Sequence, residues 1–212
     1  YQPQAVLYVW QGGQEGGRGV ADVLTGKICA CGKLPDTIAA DINDYPSTAN
    51  FGDPFKNYYK EDIYVGYRYF ETFAKDKVLY PFGYGLSYTT FEIKAKISEN
   101  TKDKFKVAVV VRNTGNVKGK EVVQVYAKVP QGKLGNPEKK LVGFVKTKEL
   151  NPGEKEEICI VVSKYDMASY DDSGITGYKS CYVLEEGTYE IFAGSDVRSA
   201  EMAGCYEEKF CV

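Results

Sequence analysis

The chain has 212 residues, 43% of them hydrophobic, and a formal net charge of −2; it can bury a core, which excludes a globally disordered polymer. The near-neutral balance lacks the basic excess of a nucleic-acid binder and gives no attraction to an anionic membrane surface. Histidine is absent, which removes Ser-His-Asp and Cys-His catalysis and His-ligated zinc, so any chemistry must use carboxylates, Tyr, Lys or Cys.

The chain opens Tyr1-Gln2-Pro3 with no starting Met and no signal peptide, so its true N-terminus is expected elsewhere. No apolar run reaches the ~20 residues that span a bilayer. Ala5 to Trp10 is a short continuous apolar run, the pattern of a strand buried on both faces of a parallel sheet. A glycine-rich stretch follows, Gln11-Gly-Gly-Gln-Glu-Gly-Gly-Arg-Gly19. A helix is predicted from about Glu15, carrying Val20, Ala21, Val23 and Leu24, with Gly26 as its left-handed cap. Leu34-Pro35 and Thr37-Ile38-Ala39 predict a short edge segment. One strand and one helix cannot bury a parallel sheet. Residues 1 to about 50 therefore read as the last piece of an α/β domain whose other strands lie outside this sequence or on another chain.

From Asp53 to Tyr88 the chain is dense in Tyr and Phe, interrupted by Gly66, Pro81, Gly83 and Gly85. It has neither helical period nor clean alternation and is predicted to be partly irregular, packing between two domains. Beyond it, period-two rows take over: Phe91/Ile93/Ala95/Ile97, Phe105/Val107/Val109/Val111, Val123/Val125/Ala127/Val129, Leu141/Gly143/Val145, Ile158/Ile160/Val162 and Tyr189/Ile191/Ala193. Turn residues separate them at Asn113-Thr-Gly-Asn116, Asn151-Pro-Gly153 and Glu185-Glu-Gly187. Short alternating strands with regular turns predict an immunoglobulin-like or fibronectin type III-like β-sandwich. The expected fold is mainly β: this sandwich over 86–212, preceded over 1–85 by the C-terminal remnant of an α/β sandwich domain with its aromatic linker.

Six cysteines occur, Cys29, Cys31, Cys159, Cys181, Cys205 and Cys211. Cys159 sits inside an apolar strand pattern, and the set reads as free buried thiols, leaning towards a reducing, cytoplasmic setting, with disulfides as the alternative. Cys29-Ala-Cys31 lacks the spacer and second ligand pair of a zinc site, and no cofactor or metal is expected.

The glycine-rich loop is the first candidate site, because ligands of parallel sheets bind beyond the carboxyl ends of the strands. It is not a dinucleotide fingerprint: Asp22 stands where the third glycine belongs after Gly17 and Gly19. It is not a phosphate loop either, since no Gly-Lys-Ser/Thr follows. A tight turn in which glycines let the helix approach the sheet is the structural reading. Within it Gln14 and Glu15 are the candidate substrate-binding residues. Glu15 suits the helix dipole, and catalysis would need a second carboxylate roughly 5–10 Å away. Asp22 lies about two turns on and is expected on a different side. The Tyr-rich segment could form a sugar platform, with interface packing the favoured reading. Asp171-Asp172-Ser173-Gly174 resembles half a calcium loop but lacks the spaced acids and closing Glu, so a solvated turn is expected. Lys102/Lys104/Lys106 and Lys139/Lys140 are expected to be solvated strand faces.

Several motifs, in order, resemble the C-terminal part of a family 3 glycoside hydrolase. They are the stretch Gln11 to Gly26, Gly32-Lys-Leu-Pro-Asp-Thr37, Ile63-Tyr-Val-Gly-Tyr-Arg-Tyr-Phe70 and Leu79-Tyr-Pro-Phe-Gly-Tyr-Gly-Leu-Ser-Tyr-Thr-Thr-Phe91. Val107 to Val129 and Leu141 to Leu150 look like that family's fibronectin type III-like domain. The resemblance implies a retaining β-glycosidase, most closely a β-glucosidase, acting on terminal β-linked sugars. It places the nucleophilic Asp on a barrel domain and the acid/base Glu upstream of the matched stretch. No catalytic residue is therefore carried over to this sequence. The implied role is scaffold, with the Gln14/Glu15 loop facing the barrel, and the implied partners are a β-linked glycoside and the missing barrel, encoded upstream, downstream or on another chain. A stand-alone carbohydrate-binding module and a purely structural sandwich are the alternatives.

Overall fold

The structure, a computed structural model, describes residues 3–212. An extended N-terminal stretch leads into helix α1 (Gly16–Leu24), whose left-handed cap is Gly26 at φ 74°. The Thr25 and Gly26 amides donate to the Ala21 and Val23 carbonyls, closing the helix as its sequence predicts. The edge segment is strand β1 (Ile38–Ala39), paired antiparallel with β2 (Val78–Tyr80). Between them run three 3₁₀ turns and the short helix α2 (Tyr67–Phe73).

The sandwich follows. One sheet has the order β3 (Phe91–Asn100), β4 (Lys104–Asn113), β7 (Lys155–Ser163). The facing sheet has the order β11 (Glu201–Glu208), β10 (Gly187–Gly194), β5 (Val122–Lys128), β6 (Lys140–Lys146). A two-stranded hairpin of β8 (Ser169–Asp171) and β9 (Cys181–Val183) stands apart. The predicted rows point inward except at Leu141, which packs on the outer face while Val142 and Val145 meet the core, because the register slips opposite Val125/Tyr126. Phe105, Val107, Val109 and Val111 are buried against Val123, Val125, Ala127, Val162, Tyr189 and Ile191. Each such side chain stabilises the fold by ~1.5–3 kcal/mol relative to exposure. Tyr189 keeps its polar end satisfied by donating from Oη to the Glu185 carbonyl at 2.9 Å.

Three expectations need correction. Ala5 to Trp10 forms no strand, and Val6 is 72% exposed. The run has the composition of a buried strand but, among the described residues, no neighbour to pair with. The cysteines are free but not buried: Cys159, Cys205 and Cys211 are exposed and Cys29, Cys31 and Cys181 half-buried, with Cys159 outward because alternation turns Ile158 and Ile160 inward. Lys139 and Lys140 are not solvated. Lys140 Nζ donates to the Met167 and Ala168 carbonyls at 3.0 and 3.2 Å. Burial, reinforced by Arg68, pushes its ammonium down to about 8. Lys139 Nζ lies 4.7 Å over the Phe192 ring and donates to the Val197 carbonyl.

The aromatic segment packs on the outer face of the four-stranded sheet. On β5, Gln124 and Tyr126 point away from the core yet are buried. Tyr67, Phe82, Val197 and Ala200 cover Tyr126, with the Tyr67 and Phe82 rings stacked at 4.4 Å. Tyr126 Oη donates to Gln124 Oε1, and Gln124 Nε2 donates to the carbonyls of Gly83 and Ser195. Two ion pairs fasten the same joint: Lys33 to Glu121 at 2.8 Å and Arg198 to Glu71 at 2.9 Å.

Candidate functional site

The glycine-rich loop sits where an extended stretch turns into α1. Trp10 takes φ 58°, and its ring meets Tyr8 edge-on at 4.7 Å. Leu7 to Gln11 line a shallow hollow beside the loop. Gly12 is tight for a physical reason: a Cβ there would lie 2.8 Å from the Gly16 Cα. The other loop glycines, Gly13, Gly16, Gly17 and Gly19, have open space around them.

Behind the loop, α1 is tied to the start of the sandwich. Tyr88 Oη donates to the Val23 carbonyl at 2.9 Å, and the Tyr88 amide donates to Cys29 Sγ at 3.3 Å. Cys29 Sγ also lies 3.1 Å from Ser87 Oγ. Lys33, from the Gly-Lys-Leu-Pro-Asp-Thr motif, reaches Glu121 and the Gly85 carbonyl. The Leu34 amide and carbonyl pair with Tyr84 and Gly83. Sequence reasoning missed Lys33 and Glu121 as a linked pair. The signal available was only two charges beside apolar residues, with 87 intervening positions hiding their contact.

Gln14 and Glu15 are both exposed at the tip of the loop. Glu15 precedes the helix but makes no capping hydrogen bond. Its carboxylate pairs with Arg18 at 3.3 Å, with the Glu15 side chain 78% exposed. Asp22 is engaged elsewhere, held by Lys27 Nζ at 3.0 and 3.2 Å. Seven residues are close to two full turns, so the helix returns Asp22 nearly to the side of Glu15; about 10 Å of rise separates them. Asp22 is thus held by Lys27 and Glu15 by Arg18, and the two acids are not a built catalytic dyad.

The acidic turn at Asp171 is not simply solvated as expected: Asp171 is fully buried and has a structural role. Its buried carboxylate accepts from the amides of Gly174, Ile175 and Thr176 and from the hydroxyls of Ser173 and Thr176. Its lone pairs are consumed by donors rather than left open to a cation. Burial pushes this carboxyl up, but the Thr176, Gly174 and Ser173 donors outweigh it and hold it well below the usual range. A depressed folded pKa stabilises the fold above the unfolded value of about 3.9 and loses that contribution as pH falls below it. Asp171→Asn is therefore expected to be less stable than the parent at pH 7 by urea unfolding, with the gap narrowing as pH falls from about 5 towards 2. A gap that stays constant with pH would sink this account.

Two family models match the chain. Residues 1–88 match the model of the glycosyl hydrolase family 3 C-terminal domain, and residues 121–197 match that of a fibronectin type III-like domain. A β-glucosidase of Ruminococcus albus is 56% identical over 95% of this chain. β-Glucosidase A of Butyrivibrio fibrisolvens is 47% identical, also over 95%. The crystal structure of a β-glucosidase from Paenibacillus barengoltzii superposes with a TM-score of 0.90 at 53% identity, covering 94% of this chain and 23% of that one. The chain spans 21% and 26% of the two curated relatives' lengths.

Proposed function

The chain carries the C-terminal domain of glycoside hydrolase family 3 joined to a fibronectin type III-like domain, and on that premise we propose that it is the scaffold portion of a β-glucosidase. In this reading the whole enzyme releases terminal β-linked glucose in two displacements. A carboxylate attacks the anomeric carbon, an acid protonates the leaving oxygen, and water then resolves the glycosyl-enzyme. Both carboxylates belong to parts of the enzyme outside these 212 residues.

The observation that carries the scaffold role is the open apolar edge. Val6, Leu7, Tyr8, Val9 and Trp10 are exposed together beside α1, a contiguous patch of the kind that another part of a protein covers. The remaining strands of the α/β domain are its natural cover. We place the division between the α/β remnant and the sandwich near residue 85, with the Lys33–Glu121 and Glu71–Arg198 pairs bracing the two. Gln14 and Glu15, at the loop tip, face the cleft.

Assays with an aryl β-glucoside test both statements. The purified chain alone is expected to release no aglycone, and turnover by it overturns the scaffold reading. In the intact enzyme, Glu15→Ala is expected to raise KM severalfold while kcat changes less. An unchanged KM removes the loop from the cleft.

A further inference from the structure

The β8–β9 hairpin carries a cluster of aromatic rings that neither the core nor the joint uses. Tyr170 and Tyr182 stand directly opposite each other across the hairpin, and Tyr165 comes from the 3₁₀ turn just before it. Their ring centroids lie 5.1 Å apart for Tyr170–Tyr182 and 5.0 Å for Tyr165–Tyr182. The three are 61%, 51% and 47% exposed in the order 165, 170, 182. Tyr178, from the turn between the two strands, stacks on Phe210 at 5.5 Å.

Two further observations bear on these rings. The half-buried Tyr67 and the buried Tyr126 and Tyr189 have their hydroxyls engaged with protein groups. The hydroxyls of Tyr165, Tyr170 and Tyr182 have no such partner among the described residues and are free to meet a ligand. The backbone beneath is also fixed in advance. The Asp171 carboxylate holds the turn from Ser173 to Thr176, the Ser180 amide donates to the Asp171 carbonyl, and Leu184 pairs with Cys211. A preorganised row of stiff side chains loses little entropy when something binds it.

We propose that Tyr165, Tyr170 and Tyr182 form an accessory binding surface for a soluble β-linked glucan chain. Tyr rings offer apolar faces to sugar C–H surfaces and polar edges to sugar hydroxyls. The rings carry no formal charge, which suits a neutral polymer. The planes are tilted by 55° and 62° to one another, so they cannot all lie flat on a crystalline face but can follow a twisted single chain. The choice of β-linked glucose as the sugar rests on the β-glucosidase reading above.

Affinity electrophoresis of the full chain through gels containing hydroxyethylcellulose tests the proposal, with dextran gels and binding to crystalline cellulose alongside. The parent is expected to be retarded by hydroxyethylcellulose, not by dextran, and not to be taken up by crystalline cellulose. Tyr182→Ala and Tyr170→Ala are each expected to raise the dissociation constant about tenfold with unchanged thermal midpoints. Tyr182→Phe, which keeps the ring, is expected to retain most of the binding. Absence of retardation by hydroxyethylcellulose, or retardation that survives both alanine variants, overturns the site. Stronger retardation by dextran, or uptake by crystalline cellulose, overturns the ligand class. Because hydrolysis is not measured, failure here leaves the aryl glucoside assay to judge the β-glucosidase reading separately.

Discussion

Asn113→Ala is expected to destabilise the folded chain by about 3 kcal/mol, read as the change in unfolding free energy in guanidinium chloride. Asn113 ends β4 and is fully buried. Its carboxamide uses all four of its hydrogen-bonding positions. Nδ2 donates to the carbonyls of Val117 and Leu150 at 2.8 and 2.9 Å, and Oδ1 accepts from Thr89 Oγ1 and the Gly115 amide at 2.7 and 3.1 Å. One side chain thus joins the entry to β3, the turn after β4 and the approach to β7. Alanine removes every partner at once and leaves buried polar groups unpaired, each costing about 1–3 kcal/mol where water cannot reach. Asn113→Asp provides the sharper test. It is nearly isosteric but turns an acceptor towards two carbonyls, so it is expected to be at least as damaging at pH 7 and milder at acid pH, where a protonated carboxyl can donate. A loss below about 1 kcal/mol for the alanine variant would show that water or local relaxation replaces these bonds.

Gly83→Ala is the second large expected effect, again about 3 kcal/mol, and it acts on the joint between the aromatic segment and the sandwich. Gly83 holds φ 82°, a left-handed conformation that strains a residue with a Cβ. The added Cβ would also overlap the Gln124 carboxamide, coming to 2.6 Å of Nε2 and 2.8 Å of Cδ. Gln124 is buried under that contact and also holds the Tyr126 hydroxyl and the Ser195 carbonyl. It cannot retreat without giving these up. A double-mutant cycle separates the two causes. If the clash matters, Gln124→Ala recovers part of the loss caused by Gly83→Ala. If the two effects simply add, backbone strain alone is responsible and the steric half of the account fails.

Much of the sandwich was legible because its signal is local. The rows from Phe105 to Val111 and from Val123 to Val129 alternate cleanly, and alternation carries the identity of the buried face without any knowledge of the partner strand. Strand β11 escaped notice for an equally local reason. Its register against β10 slips between Ile191 and Phe192, and Gly204 sits there at φ 149°, so the bulge breaks the period of two that betrays a strand. The candidate site was legible in part. The turn into α1 and its Gly26 cap follow from sequence, whereas Asp22, expected on a different side from Glu15, returns nearly to the same side and is held by Lys27.

What the sequence determined by itself is therefore the set of short-range choices: which residues alternate, where helix α1 stops, and the ordered motifs from Gln11 to Phe91 that tie the chain to its family. The tertiary structure decided everything that depends on what lies opposite. Ala5–Trp10 is apolar enough for a buried strand yet lies exposed, since strand pairing needs a neighbour that composition cannot provide. Cys159 faces outward beside two inward isoleucines. β5 is buried on both faces because Tyr67 and Phe82 fold back over Tyr126. Tyr170 and Tyr182, twelve positions apart, become an aromatic pair only when the hairpin sets them across from each other. In each case periodicity records a residue's own strand or helix, whereas burial and contact are properties of the pair, and the partner is chosen by chain topology.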